Sequence, residues 1–77
     1  MNIDHMIKMA NEISIFWEAE AGPQKAPVEV ASHLKRFWEP RMRGQIIEHF
    51  RKGAAGLDDV AREAVGILAL DASNTLK

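Results

Sequence analysis

The chain has no cysteine and no tyrosine, and only three prolines and five glycines in 77 residues. Without cysteine it forms no disulfide, no thiolate zinc site and no Cys-ligated iron–sulfur cluster. Its longest apolar run, Ala64 to Leu70, is seven residues, far below the roughly 20 that a membrane helix needs. The opening Met1-Asn2-Ile3-Asp4 has no basic n-region, so no signal peptide is read and a cytoplasmic location is expected. No glycine-rich phosphate loop is present. Ser14, Ser32, Ser73 and Thr75 stand in no pattern with histidine and carboxylate that would make a nucleophile. His5, His33 and His49 fit neither His-X-X-X-His nor His-Glu-X-X-His spacing. A lone histidine on a helix is more often a surface or half-buried residue than a ligand. Neither catalysis nor a metal site is therefore expected.

What remains is one small domain spanning residues 1–77. A chain this size hides only about 60 to 65% of its unfolded surface, so it gains from partners when disulfides and metals are excluded. Net charge is −1, unevenly placed: residues 1–32 carry −3, residues 33–52 carry +4 and residues 53–77 carry −2. A nucleic-acid binder would usually be basic overall, so nucleic acid is not the expected partner, and no membrane partner is expected either.

Periodicity reads as all-α, about four short helices with tight links. Ile3, Met6, Ile7, Ala10, Ile13 and Trp17 form one apolar stripe on a first helix over roughly 3–20, capped by Asn2 and stopped at Gly22-Pro23. Met9 and Phe16 widen that stripe. Pro27 opens a second helix over 27–38, with Ala31, Leu34 and Trp38 on one face. Glu39 before Pro40 breaks the chain, because a residue before proline avoids helical dihedrals. Pro40 opens a third helix over 40–52, faced by Met42, Ile46 and Phe50 and ended by Gly53. Asp58 caps a fourth over 58–70, with Leu57, Val60, Ala61, Ala64, Val65 and Leu68 in helical register. Residues 71–77 are expected to fray.

The segment from His33 to Arg43 concentrates unusual chemistry. It holds Lys35, Arg36, Arg41 and Arg43 beside Phe37, Trp38 and Pro40. Neighbours on a helix point about 100° apart, so one ring of Phe37-Trp38, and one of Phe16-Trp17, enters the core while the other lies at its edge or in an interface. Arg41 and Arg43 fall in a first helical turn, where the positive helix end disfavours a cation by roughly 0.3–1 kcal/mol. Two accounts stand side by side. Glu39 could pair with Arg36 and Arg43, a contact worth about 0–1 kcal/mol when exposed. Alternatively the guanidinium groups await an acidic surface or a phosphate.

His33-Leu34-Lys35-Arg36-Phe37-Trp38-Glu39-Pro40-Arg41-Met42-Arg43 resembles the signature of the delta subunit of soluble NAD-dependent formate dehydrogenase, which reads His-Leu-X-Arg-Phe-Trp-(Asp/Glu)-Pro-Arg-Met-Arg. Ile7-Lys8-Met9-Ala10-Asn11-Glu12-Ile13 is similar to that family's N-terminal Met-Ala-Asn-(Gln/Glu)-Ile motif, and Phe16-Trp17 to the paired aromatics after it. Gly56-Leu57 with Val60-Ala61-Arg62-Glu63-Ala64 resembles its last helix. The likeness covers roughly residues 3–68. Asp58-Asp59 departs from the expected Ser-Pro-like pair, but aspartate caps equally well.

The resemblance implies a non-catalytic accessory subunit of an enzyme that oxidises formate to carbon dioxide and reduces NAD⁺. That holoenzyme would carry a molybdenum bis-pterin guanine dinucleotide cofactor, iron–sulfur clusters, FMN and NAD, none of them bound by this chain. The expected partner is the catalytic (alpha) subunit, with a role in its assembly, cofactor insertion or stability. Arg36, Phe37, Trp38, Pro40, Arg41 and Arg43 are the expected contacts. Two rivals accompany this reading. One is a transient chaperone-like or regulatory protein for the same enzyme. The other is a homo-oligomeric helical module that buries the wide stripe of the first helix against a second copy.

Overall fold

The computed structural model describes residues 2–75, with side chains to Ala72. Four helices follow in order: α1 (Ile3–Ala21), α2 (Ala26–Phe37), α3 (Pro40–Arg51) and α4 (Asp59–Thr75). No strand occurs among the described residues. α4 packs most extensively against α2, and α1 lies across α2, α3 and α4.

Each boundary has a local cause. The Asn2 side chain accepts the Asp4 N–H at 2.7 Å, which satisfies one of the unpaired donors of the first turn of α1. Gly22 closes the same helix, its N–H donating to the Glu18 carbonyl. Pro27 sits in the first turn of α2 and Pro40 in that of α3, where a missing N–H costs nothing. Trp38 and Glu39 are both extended, with ψ of 139° and 153°, so α2 ends one residue before the expected Trp38. The steric restriction ahead of Pro40 accounts for Glu39. At the end of α3, the Gly53 N–H donates to Phe50 and the Ala54 N–H to His49, the paired bonds of a Schellman motif. Gly53 has φ +125°, and Ala54 follows at φ +58°, a left-handed conformation that costs an alanine about 1 kcal/mol.

α4 runs on to Thr75 where fraying from Asp71 was expected. No glycine or proline interrupts residues 67–75. Asp71 also pairs with Lys35 of α2 at 3.8 Å, which ties the extra turn down. Leu76 and Lys77, the end of the expected frayed tail, lie outside the described residues.

The core is built from Met6, Val30, Leu34, Ile46 and Val65, all fully buried, with Ala10, Ala61 and Ala64 letting the helices approach. Gly66 serves the same end: a Cβ there would meet Phe50 Cζ at 3.2 Å, so α3 and α4 close up on it. The stripe on α1 faces inward, with Ile3, Ile7, Met9, Ile13 and Trp17 packed against the core.

A basic corner between two helices

The corner is made where α2 ends and α3 begins. α2 leaves its last carbonyls without intrahelical partners, as every helix does. Arg43, one turn into α3, folds back and donates from one guanidinium nitrogen to the Lys35 carbonyl at 3.0 Å and to the Trp38 carbonyl. The first-turn position that looked unfavourable for a cation is thereby explained: the guanidinium meets the negative end of the preceding helix. Arg43 does not pair with Glu39, and neither does Arg36. Among the described residues Arg36, Glu39 and Arg41 form no ion pair. The pairing across the turn that could have neutralised the junction is therefore not made.

The two aromatic neighbours divide as geometry requires. Trp38 is 7% exposed and belongs to the core, whereas Phe37 is 70% exposed. The Phe37 ring rests on His33, with centroids 4.7 Å apart and planes at 43°. The same division holds on α1, where Trp17 packs on the core and Phe16 is 55% exposed against its edge. Of the six residues expected at an interface, Arg36, Phe37, Pro40 and Arg41 are exposed. Trp38 supports them from within, and Arg43 holds the bend.

Beside the corner lies an open pocket of about 280 Å³. Ile47 and Leu68 form its floor, Pro40 and Gly44 line one wall, and the Lys35–Asp71 pair crosses its edge. Gly44 is exposed, and a Cβ built on it would meet nothing within 4 Å among the described residues.

A second polar constellation was not visible in the sequence. Ser14 is fully buried on the inner face of α1, and its hydroxyl donates to Asp58 Oδ1 at 2.7 Å. The same oxygen accepts the Ala61 N–H at 2.8 Å, so Asp58 caps α4 and latches it to α1 at once. Asn11 completes the clamp: its amide donates to the Gly56 carbonyl at 2.8 Å and accepts the Asp58 N–H at 2.9 Å. The available sign was Ser14 itself, placed four residues after Ala10 on the apolar stripe, because a buried hydroxyl demands a partner. The Met-Ala-Asn motif thus carries a structural joint. His49 likewise serves the α3–α4 turn, donating from Nε2 to the Ala55 carbonyl at 2.7 Å. No three His, Asp or Glu side chains gather as a metal site among the described residues. No helix among them is long and apolar enough to cross a membrane.

Fold and corner together define a small all-α protein with an exposed basic, aromatic junction. The chain belongs to the NADH-dependent formate dehydrogenase delta subunit family, FdsD, whose model matches residues 5–65. Comparison with curated proteins and with solved structures gives no match. The matched span takes in both the clamp residues Asn11, Ser14 and Asp58 and the whole corner from His33 to Arg43.

Proposed function

We propose that this chain is a non-catalytic accessory subunit that docks on the molybdenum-containing catalytic subunit of formate dehydrogenase through the α2–α3 corner, and supports that subunit's assembly, cofactor insertion or stability in the cytoplasm. One observation carries the reading. Phe37 stands 70% exposed between Arg36 and Arg41, two guanidinium groups with no ion pair among the described residues. Aromatic and arginine side chains are the residue types that most often dominate interfaces. Family membership supplies the complex in which such a surface would be used. The rigid bend held by Arg43 and Pro40 would present the three groups at low entropic cost.

In this role the chain binds no redox centre. Molybdenum, clusters, flavin and nicotinamide would all reside on the other subunits.

The test is co-purification. A tagged catalytic subunit is expressed with this chain, either wild-type or carrying Arg36→Glu and Arg41→Glu together. The wild-type chain is expected to remain at fixed stoichiometry and the variant to be lost, although still helical by circular dichroism. Retention of the folded variant at full stoichiometry would sink the corner as the docking surface. Absence of the wild-type chain from the purified enzyme, with reduced molybdenum content when it is deleted, would favour a transient assembly factor over a resident subunit.

A further inference from the structure

Among the described residues nothing requires a glycine at position 44. It lies inside α3, where glycine is a poorer helix former than almost any other residue. Yet it caps nothing, its φ is not left-handed, and a Cβ there would touch nothing within 4 Å. One use of glycine is to let another chain or a ligand approach the backbone closely. What Gly44 keeps open is the pocket floored by Ile47 and Leu68 and walled by Pro40. Its volume of about 280 Å³ compares with the about 150 Å³ of an engineered apolar cavity that admits benzene. One leucine, methionine or phenylalanine side chain would fit.

The surroundings select what would carry that side chain. Lys35 lies at the pocket edge, where Asp71 already pairs with it, so the selecting charge comes from Arg36 and Arg41 on the adjoining corner, which form no ion pair among the described residues. The corner segment from His33 to Arg43 holds Lys35, Arg36, Arg41 and Arg43 against Glu39 as its one acidic residue. We infer that the Gly44 pocket receives a single large apolar side chain from an acidic segment of the partner, whose flanking carboxylates meet Arg36 and Arg41. The inference rests on the docking reading above and adds the anchor and the chemistry of the segment. The apolar anchor would supply the slow dissociation, and the charges would supply orientation and on-rate.

The experiment fills the pocket without disturbing the fold. Gly44→Leu places a side chain where nothing stands and improves helix propensity, so the variant should melt at or above the wild-type temperature. Binding of the folded chain to the purified catalytic subunit is measured by biolayer interferometry for wild type, Gly44→Leu and Arg36→Glu/Arg41→Glu. Gly44→Leu is expected to weaken binding by about tenfold or more, mainly through faster dissociation, as loss of an interface anchor does. The arginine variant is expected to slow association and to flatten its salt dependence. Unchanged or tighter binding by Gly44→Leu, with binding lost in the arginine variant, overturns the pocket and leaves the corner reading intact. Unchanged binding in both overturns the corner reading as well. Loss with Gly44→Leu alone overturns the acidic character assigned to the segment.

Discussion

Ser14→Ala and Asn11→Ala test whether the clamp between α1 and the α3–α4 loop holds the fold together. Ser14 Oγ lies 2.7 Å from Asp58 Oδ1, inside the core, and donates to a carboxylate. A hydrogen bond to a charged group contributes roughly 1.5–3 kcal/mol net. The lower end applies here, because Asp58 is only half-buried and keeps the Ala61 N–H as a partner, so no orphaned charge is left. The alanine methyl also suits its apolar surroundings. Ser14→Ala should therefore cost about 1–2 kcal/mol. Asn11→Ala removes two bonds to the backbone, at 2.8 and 2.9 Å, that water can partly replace on the exposed loop. Its cost should also be about 1–2 kcal/mol. Both side chains act on Asp58, so the double variant should deviate from additivity by about 0.5 kcal/mol or more. Urea unfolding of the isolated chain at 25 °C, followed by far-ultraviolet circular dichroism, gives each value. In thermal scans each kcal/mol lowers the midpoint by about 4–8 °C for a domain of this length. Changes within about 0.5 kcal/mol for both variants, the range of ordinary surface substitutions, would refute the clamp.

Other substitutions follow from the same geometry. Arg43→Ala frees the Lys35 and Trp38 carbonyls and should lower stability by about 1–2 kcal/mol, whereas Arg41→Ala, with no side-chain bond among the described residues, should stay within about 0.5 kcal/mol; parallel urea titrations compare them. Ala54→Val forces a β-branched residue into φ +58° and should cost about 2 kcal/mol or more, read as a lower thermal midpoint. Gly44→Ala adds a methyl in open space and should stabilise α3 by about 0.5–1 kcal/mol.

Much of the architecture was legible because the helix ends are marked by residues with local effects. Asn2, Pro27, Pro40, Gly22, Gly53 and Asp58 each act on backbone groups within a few residues, and each helix end they mark falls within two residues of its expected place. The end of α4 was misplaced because Asp71 is held by Lys35, a contact across 36 positions that no local pattern reveals. The clamp was hidden for the same reason: Asn11 and Ser14 reach partners 44 to 47 residues away. At the corner, helical register put Trp38 on the face of Ala31 and Leu34, and the structure buries Trp38 while Phe37 faces outward. Arg43 looked like a spare cation because its acceptors are carbonyls, which leave no trace in composition. The exposed remainder, Arg36, Phe37, Pro40 and Arg41, is smaller than the sequence offered and better defined.

The docking claim is tested most directly by Phe37→Ala. The ring is 70% exposed and touches only His33 among the aromatic side chains, so its removal should leave folding stability within about 0.5 kcal/mol. Isothermal titration of the folded variant against the purified catalytic subunit should show affinity lower by about tenfold or more, corresponding to about 1.4 kcal/mol or more. Wild-type affinity from a fully folded Phe37→Ala chain would contradict the assignment of the α2–α3 corner as the surface that meets the enzyme.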